Sequence, residues 1–255
     1  QGQTAEQYVP VTMLITAGVY GASSLLTFAL LKERARPQAG ALRGTGLRAS
    51  LARLGQTWRH AQHYRDFVWL LLCAVAYQAG IAVVIALAAV YAEQVLGFEQ
   101  TRTMLLIFLV NIASAVGAFA FGYWQDRVGH RKALGLTLAG WIVMTLLAAA
   151  ATDATLFWAA AVVAGLCMGS SQSAGRALAA AFAPQPRLAE FFGLWTFAVR
   201  LAAIIGPMTY GLVTLLTAGN HRVAILSTGV FFVAGLLLLS RVDVPRGIAA
   251  AESAS

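Results

Sequence analysis

Gly122-Tyr123-Trp124-Gln125-Asp126-Arg127-Val128-Gly129-His130-Arg131-Lys132 is a short charged stretch between two apolar runs, each long enough to span a bilayer. Gly122 and Gly129 predict a tight turn, because glycine reaches left-handed backbone angles without steric cost. Arg127, Arg131 and Lys132 gather at what would be a membrane edge, where basic residues favour the cytoplasmic side. Asp126 stands where the first run ends, and anchoring does not call for an acid there. The bland alternative is a solvated turn that happens to be basic. The ordered succession of glycine, acid and bases between two spans argues against it.

Working outward, 59% of the residues are hydrophobic and 11% charged, which does not suit a soluble domain. The net charge of +8 raises the question of nucleic acid. The basic residues, however, sit in short segments between apolar runs and form no continuous basic face, so no nucleic-acid partner is expected. Cys73 and Cys167 both lie inside apolar runs. They have neither metal-ligand spacing nor a disulfide framework, and read as packing residues. The chain starts at Gln1 with no signal peptide visible, and a start in mid-architecture suggests a fragment.

Seven apolar runs predict an all-α membrane protein. They are Pro10 to Leu31, Phe67 to Tyr91, Thr103 to Tyr123, Ala133 to Ala151, Leu156 to Gly175, Phe191 to Leu216 and Val223 to Ser240. Thr12, Thr16, Ser23, Ser24 and Thr27 are tolerable in the first, since hydroxyls can bond back to the helix. Between the first two runs, Leu47, Leu51, Leu54 and Trp58 recur at helical spacing with arginines on other faces. That pattern reads as an amphipathic helix lying on the membrane surface. Glu93 to Glu99 reads as a loop. The expected organisation is a first transmembrane helix over 1–31, a cytoplasmic connector over 32–66, a six-helix bundle over 67–240 and a cytoplasmic tail over 241–255. All lysines and arginines except Arg102, Arg222 and the intramembrane Arg200 fall on one side of this topology. The positive-inside rule puts that side, with the connector, the signature stretch and the tail, in the cytoplasm.

The pattern G-x-x-x-D-R-x-G-x-R-K closely resembles the loop signature of the major facilitator superfamily, found there between helices two and three and again between eight and nine. One helix, a basic connector and six more helices resemble helices six to twelve of that fold, with the signature between the third and fourth spans. A narrower resemblance rests on Gly169-Ser170-Ser171-Gln172-Ser173, Arg176, Glu190-Phe191-Phe192-Gly193, and Gly206-Pro207 with Gly211. It is to bacterial relatives of the vacuolar amino-acid effluxers. Some relatives carry an acid just before the glycine of the second span, where Tyr77-Gln78-Ala79-Gly80 has alanine. The resemblance implies a missing amino-terminal six-helix half, a small-molecule solute, and coupling to protons or sodium.

Arg200 lies well inside the sixth span, where a charge costs roughly 2.5 kcal/mol or more on insertion scales. It should face a water-filled cavity or a partner; the alternative is an arginine that snorkels or pairs structurally. Arg200, Gln78, Asn111 and Gln172 are the candidate substrate-binding residues, although mid-span amides also serve as interhelical glue. Gly122, Asp126, Arg127, Gly129, Arg131, Lys132, Arg176 and Glu190 are the candidate gating residues. Asp126 is expected to cap the start of the sixth span, with Arg176 bridging to Glu190. Gly206, Pro207 and Gly211 are expected to permit close helix contact or a bend. Ser170, Ser171 and Ser173 are expected to bond mainly to backbone. No catalytic grouping, metal cluster or phosphate loop is apparent, so an enzyme, a cofactor and a metal are not expected.

The function these readings imply is secondary active transport by alternating access. The solute would be an amino acid or another anionic or zwitterionic metabolite, and the direction efflux. The alternative is a non-transporting scaffold or sensor derived from a transporter. Alanine- and arginine-rich usage points to a bacterial inner membrane.

Overall fold

A computed structural model describes residues 5–31 and 64–253, and the amphipathic segment around Leu47 to Trp58 lies outside them. The first helix, α1 (Ala5–Leu30), belongs to a separate unit from everything after Leu47. Inside it, the hydroxyls of Thr16, Ser23 and Thr27 donate to the carbonyls of Thr12, Val19 and Ser23 at 2.8 Å. These bonds remove the donors that lipid could not satisfy.

The second unit contains α2 (Arg65–Leu96), α3 (Gln100–Val128), α4 (His130–Ala150), α5 (Ala154–Ala181), α6 (Leu188–Leu216), α7 (His221–Ser240) and the short α8 (Val244–Glu252). A 3-10 turn, Gln185–Arg187, precedes α6. No strand occurs among the described residues. With α1, seven helices among the described residues are long and apolar enough to cross a membrane. Several outrun their apolar stretches. Glu93 and Gln94, expected in a loop, lie in α2, which ends at Gly97 in the left-handed region with φ 65°. Both are good helix formers, so the helix continues after hydrophobicity stops.

The signature stretch is also tighter than expected. α3 runs on to Val128 and α4 begins at His130, leaving Gly129, φ 90°, as the whole connection. Gly122, expected to share the turn, is instead inside α3.

Short connections make α2 to α7 alternate in direction. α3 packs along α5, α6 along α2, and α4 and α7 pack against each other and against α5 and α2. The α3–α5 contact is made by small residues. A Cβ at Gly117 would lie 2.3 Å from the Leu166 carbonyl oxygen, and one at Gly169 2.0 Å from that of Ser114. Gly165 and Gly169, four apart, form the small-x-x-x-small surface that lets membrane helices approach closely. Behind them, Trp141 of α4 stacks on Phe232 of α7, centroids 5.1 Å apart and planes 7° from parallel. Cys73 and Cys167 are buried and free; the Cys73 thiol donates to the Gly235 carbonyl at 3.2 Å.

Candidate functional site

Successive residues of a helix point about 100° apart. The polar run Ser170-Ser171-Gln172-Ser173 therefore fans around α5 and reaches different neighbours in turn. Ser170 shares a hydrogen bond with Thr137 of α4 at 3.0 Å. Gln172 and Gln78 of α2 exchange amide hydrogen bonds at 3.3 and 3.4 Å. Ser173 accepts from Gln125 of α3 at 2.9 Å. Ser170 and Ser171 also donate to backbone, to Leu166, Cys167 and Met168. A patch of four residues thus ties α5 to three helices.

Two candidate substrate residues, Gln78 and Gln172, meet in this way. The pair bonds are long, and Gln172 is only partly buried while Gln78 is 4% exposed. The other two candidates lie apart from that pair. Asn111 is exposed on α3 and donates to the Ile107 carbonyl at 2.8 Å. It also lines an apolar cavity of about 340 Å³, with Ile85, Ile107, Met144, Phe157 and Met168 among its walls. Met168 is one turn from Gln172, so the cavity adjoins the amide pair along α5.

Arg200 is exposed on α6. Gly206 sets the register of α6 on α2, since a Cβ there would lie 2.1 Å from the Ala79 carbonyl oxygen. Counting back along α6 puts Arg200 about 9 Å from that level, toward the start of both helices. Ala79 itself is fully buried in this contact. Gly211, expected to serve packing like Gly206, is exposed and meets nothing within 4 Å.

α3 and α6 are the least covered helices of this unit. Each has a stripe of large exposed apolar residues, Phe108, Ile112, Val116 and Phe119 on α3, and Phe197, Ile204, Met208 and Leu212 on α6. Beside these runs a second exposed stripe that is small or polar: Asn111 and Ala115 on α3; Gly193, Thr196, Arg200 and Ala203 on α6. Large apolar stripes suit lipid. Small stripes suit another helix or a cavity.

The candidate gating residues are spread over one end of the bundle. Arg131 donates to the last carbonyls of α7, Leu239 at 3.3 Å and Ser240 at 3.0 Å, where the helix dipole favours a cation. At the opposite end, Arg222 does the same for Ala149 near the end of α4, at 3.3 Å. Asp126, Arg127, Lys132, Arg176 and Glu190 are exposed. Asp126 does not cap α6 as expected, because its helix packs along α5 and α6 packs along α2.

Sequence reasoning missed Gln125 and Thr137, the partners of the α5 patch. Gln125 was hidden by its charged neighbours in the signature. It also missed Asp66, 3% exposed at the start of α2, which takes two hydrogen bonds of 2.7 Å from Arg246 of α8. The hydrogen bond to Asp66 raises the Arg246 pKa above its ordinary value. No group of three or more metal-ligating side chains occurs among the described residues.

Long apolar helices that pack through small residues and interhelical amides define an integral, multi-pass, all-α membrane protein. The chain belongs to the family described as "Vacuole effluxer Atg22 like", which matches residues 1–252. It is 25% identical over 191 residues to the uncharacterized MFS-type transporter YxiO of Bacillus subtilis (strain 168), covering 75% of this chain and 44% of that protein. It is 30% identical over 177 residues to autophagy-related protein 22 of Cryptococcus neoformans var. neoformans serotype D (strain B-3501A), covering 63% and 32%. Against autophagy-related protein 22-1 of Aspergillus niger it is 25% identical over 209 residues, covering 76% and 34%. The chain thus spans less than half the length of these curated relatives.

Proposed function

We propose that the chain is the carboxy-terminal part of a secondary transporter that moves a small solute across a membrane by alternating access. The observation that carries this reading is the small and polar stripe on α6, with Arg200 in it, beside a stripe suited to lipid. A guanidinium about 18 Å along a spanning helix needs water, an anion or a partner. A six-helix amino-terminal half, docked on the small stripes of α3 and α6, would enclose a cavity holding Arg200, with Gln78, Gln172 and Asn111 on its walls. Solute sites of such transporters form between repeats near the bilayer midplane.

An arginine in a dry cavity suits a carboxylate and binds it with two parallel hydrogen bonds. The solute is therefore anionic or zwitterionic, such as an amino acid; the family name supports export, and coupling to protons or sodium completes the reading. The basic end of the bundle, with Gly129 and α8, is cytoplasmic by the positive-inside rule. The alanine- and arginine-rich composition supports a bacterial inner membrane.

The test is transport of labelled amino acids and organic anions by the full-length protein in proteoliposomes. Arg200→Gln should lower solute affinity by about tenfold or more, the scale of a lost charge-assisted hydrogen bond, with insertion unchanged. Arg200→Lys should recover part of the loss. Normal binding and transport by Arg200→Gln would make the arginine structural and remove the argument for an anionic group.

A further inference from the structure

The nine residues of α8 fall in what reads as a tail. A helix that short is not stable alone in water, so α8 owes its structure to what it docks against. Three contacts hold it. Asp66, at the start of α2, receives the Arg246 guanidinium through Nε and Nη2 at 2.7 Å each, and the Asp243 backbone N–H at 2.8 Å. Asp243 in turn caps the first turn of α8, accepting from the Arg246 N–H at 3.0 Å. Gly247 lies flat on Phe182, just after α5, where a Cβ would come within 2.7 Å of the ring. One buried carboxylate therefore joins the beginning of α2 to the beginning of α8, and one glycine seats α8 on the end of α5.

We infer that α8 is a latch with two states, docked and folded or released and unfolded, and that the Asp66–Arg246 pair is its lock. The lock sits at the start of α2, so the docked latch fixes that helix's first turn. Removing the arginine leaves a buried carboxylate short of its partner, which is more costly than losing an exposed pair. The released state relieves that cost by opening Asp66 to water. Folding and docking of α8 are one event, so release is a switch and not a gradual loosening.

The full-length protein with Ala251→Cys tests this, because Ala251 is 5% exposed in the docked state and Cys73 and Cys167 are buried. Labelling by a water-soluble maleimide should be slow in this parent. Arg246→Ala should speed it by about tenfold or more. Gly247→Leu, which leaves the charges alone, should do the same. Adding Asp66→Asn to Arg246→Ala should return the rate toward the parent's, because the orphaned charge is gone. Hydrogen exchange of the first turn of α2 should rise with labelling while that of α4 stays unchanged. Slow labelling in both Arg246→Ala and Gly247→Leu would overturn the latch. So would labelling of Cys73 in step with Ala251→Cys, which would show general unfolding.

Discussion

At Gly169 the difference between hydrogen and a methyl group decides whether two helices can touch. A side chain there would meet the Ser114 carbonyl and the Ala118 N–H, at 2.0 and 2.7 Å from its first carbon. Backbone cannot move aside as a flexible side chain can. Gly169→Val should therefore destabilise the bundle by about 2 to 4 kcal/mol, at or beyond the upper range for overpacking, seen as a lower midpoint in thermal unfolding in detergent. Gly135 is the contrast. A Cβ there would meet only Leu239 and Leu236 side chains at 3.7 and 3.8 Å, an ordinary contact. Gly135→Ala should be neutral or stabilising, since alanine favours helix over glycine by about 1 kcal/mol. Equal effects of the two substitutions would mean that close backbone approach does not hold α3 to α5. Both glycines are visible in the sequence, but the spacing Gly165-x-x-x-Gly169 marks only a surface for close approach. It does not name α3 as the partner.

Among the elements, α5 joins most of the unit's interior hydrogen bonds between side chains of different helices. Its polar run was legible as a patch inside a span, and the bonds of Ser170 and Ser171 to backbone follow from their chemistry. The fan to Thr137, Gln78 and Gln125 was not legible, because it depends on which helices surround α5. The amide pair is the part that can be measured. Gln78→Leu and Gln172→Leu, singly and together, should show a coupling of about 0.6 kcal/mol in unfolding, the average for interhelical hydrogen bonds in membranes. Long bonds favour the low side of that figure. A coupling near zero, with transport impaired by either substitution, would mean that the amides serve the solute and not each other. The same dependence on neighbours explains α8. Val244 to Glu252 is too short to register as an element by periodicity, and Asp66 and Phe182, both far away in sequence, give it a place to fold.

For the whole molecule, the distribution of exposed residues matters more than any one contact. α2 buries most of its length, whereas α3 and α6 leave long stripes open. If the small stripes belong against a second half, the 255-residue chain lacks one wall of its cavity and presents Asn111 and Arg200 to lipid. Purified and placed in vesicles, it should move no amino acid or organic anion above the leak of protein-free vesicles. Saturable flux from this chain alone would place the pathway within the six-helix unit and overturn the two-half arrangement.

The sequence by itself determined the class, the number of spans and the clustering of basic residues near the ends of the apolar runs. Each of these depends on a local property: length against bilayer thickness, hydropathy along the run, and charge near its ends. It also placed Gly129 at a turn, since the residues on either side had to reverse direction there. The tertiary structure decided everything that requires two distant segments to meet. It narrowed the signature turn to one residue, brought Gln78 to Gln172 while leaving Asn111 and Arg200 on open stripes, gave Arg131 the end of α7, and joined Asp66 to Arg246. The physical reason is the membrane itself. Lipid is as apolar as the helices, so hydrophobicity drives segments in without saying how they pair. Pairing then depends on small residues, amides and a buried charge, and their partners are known only once the helices are packed.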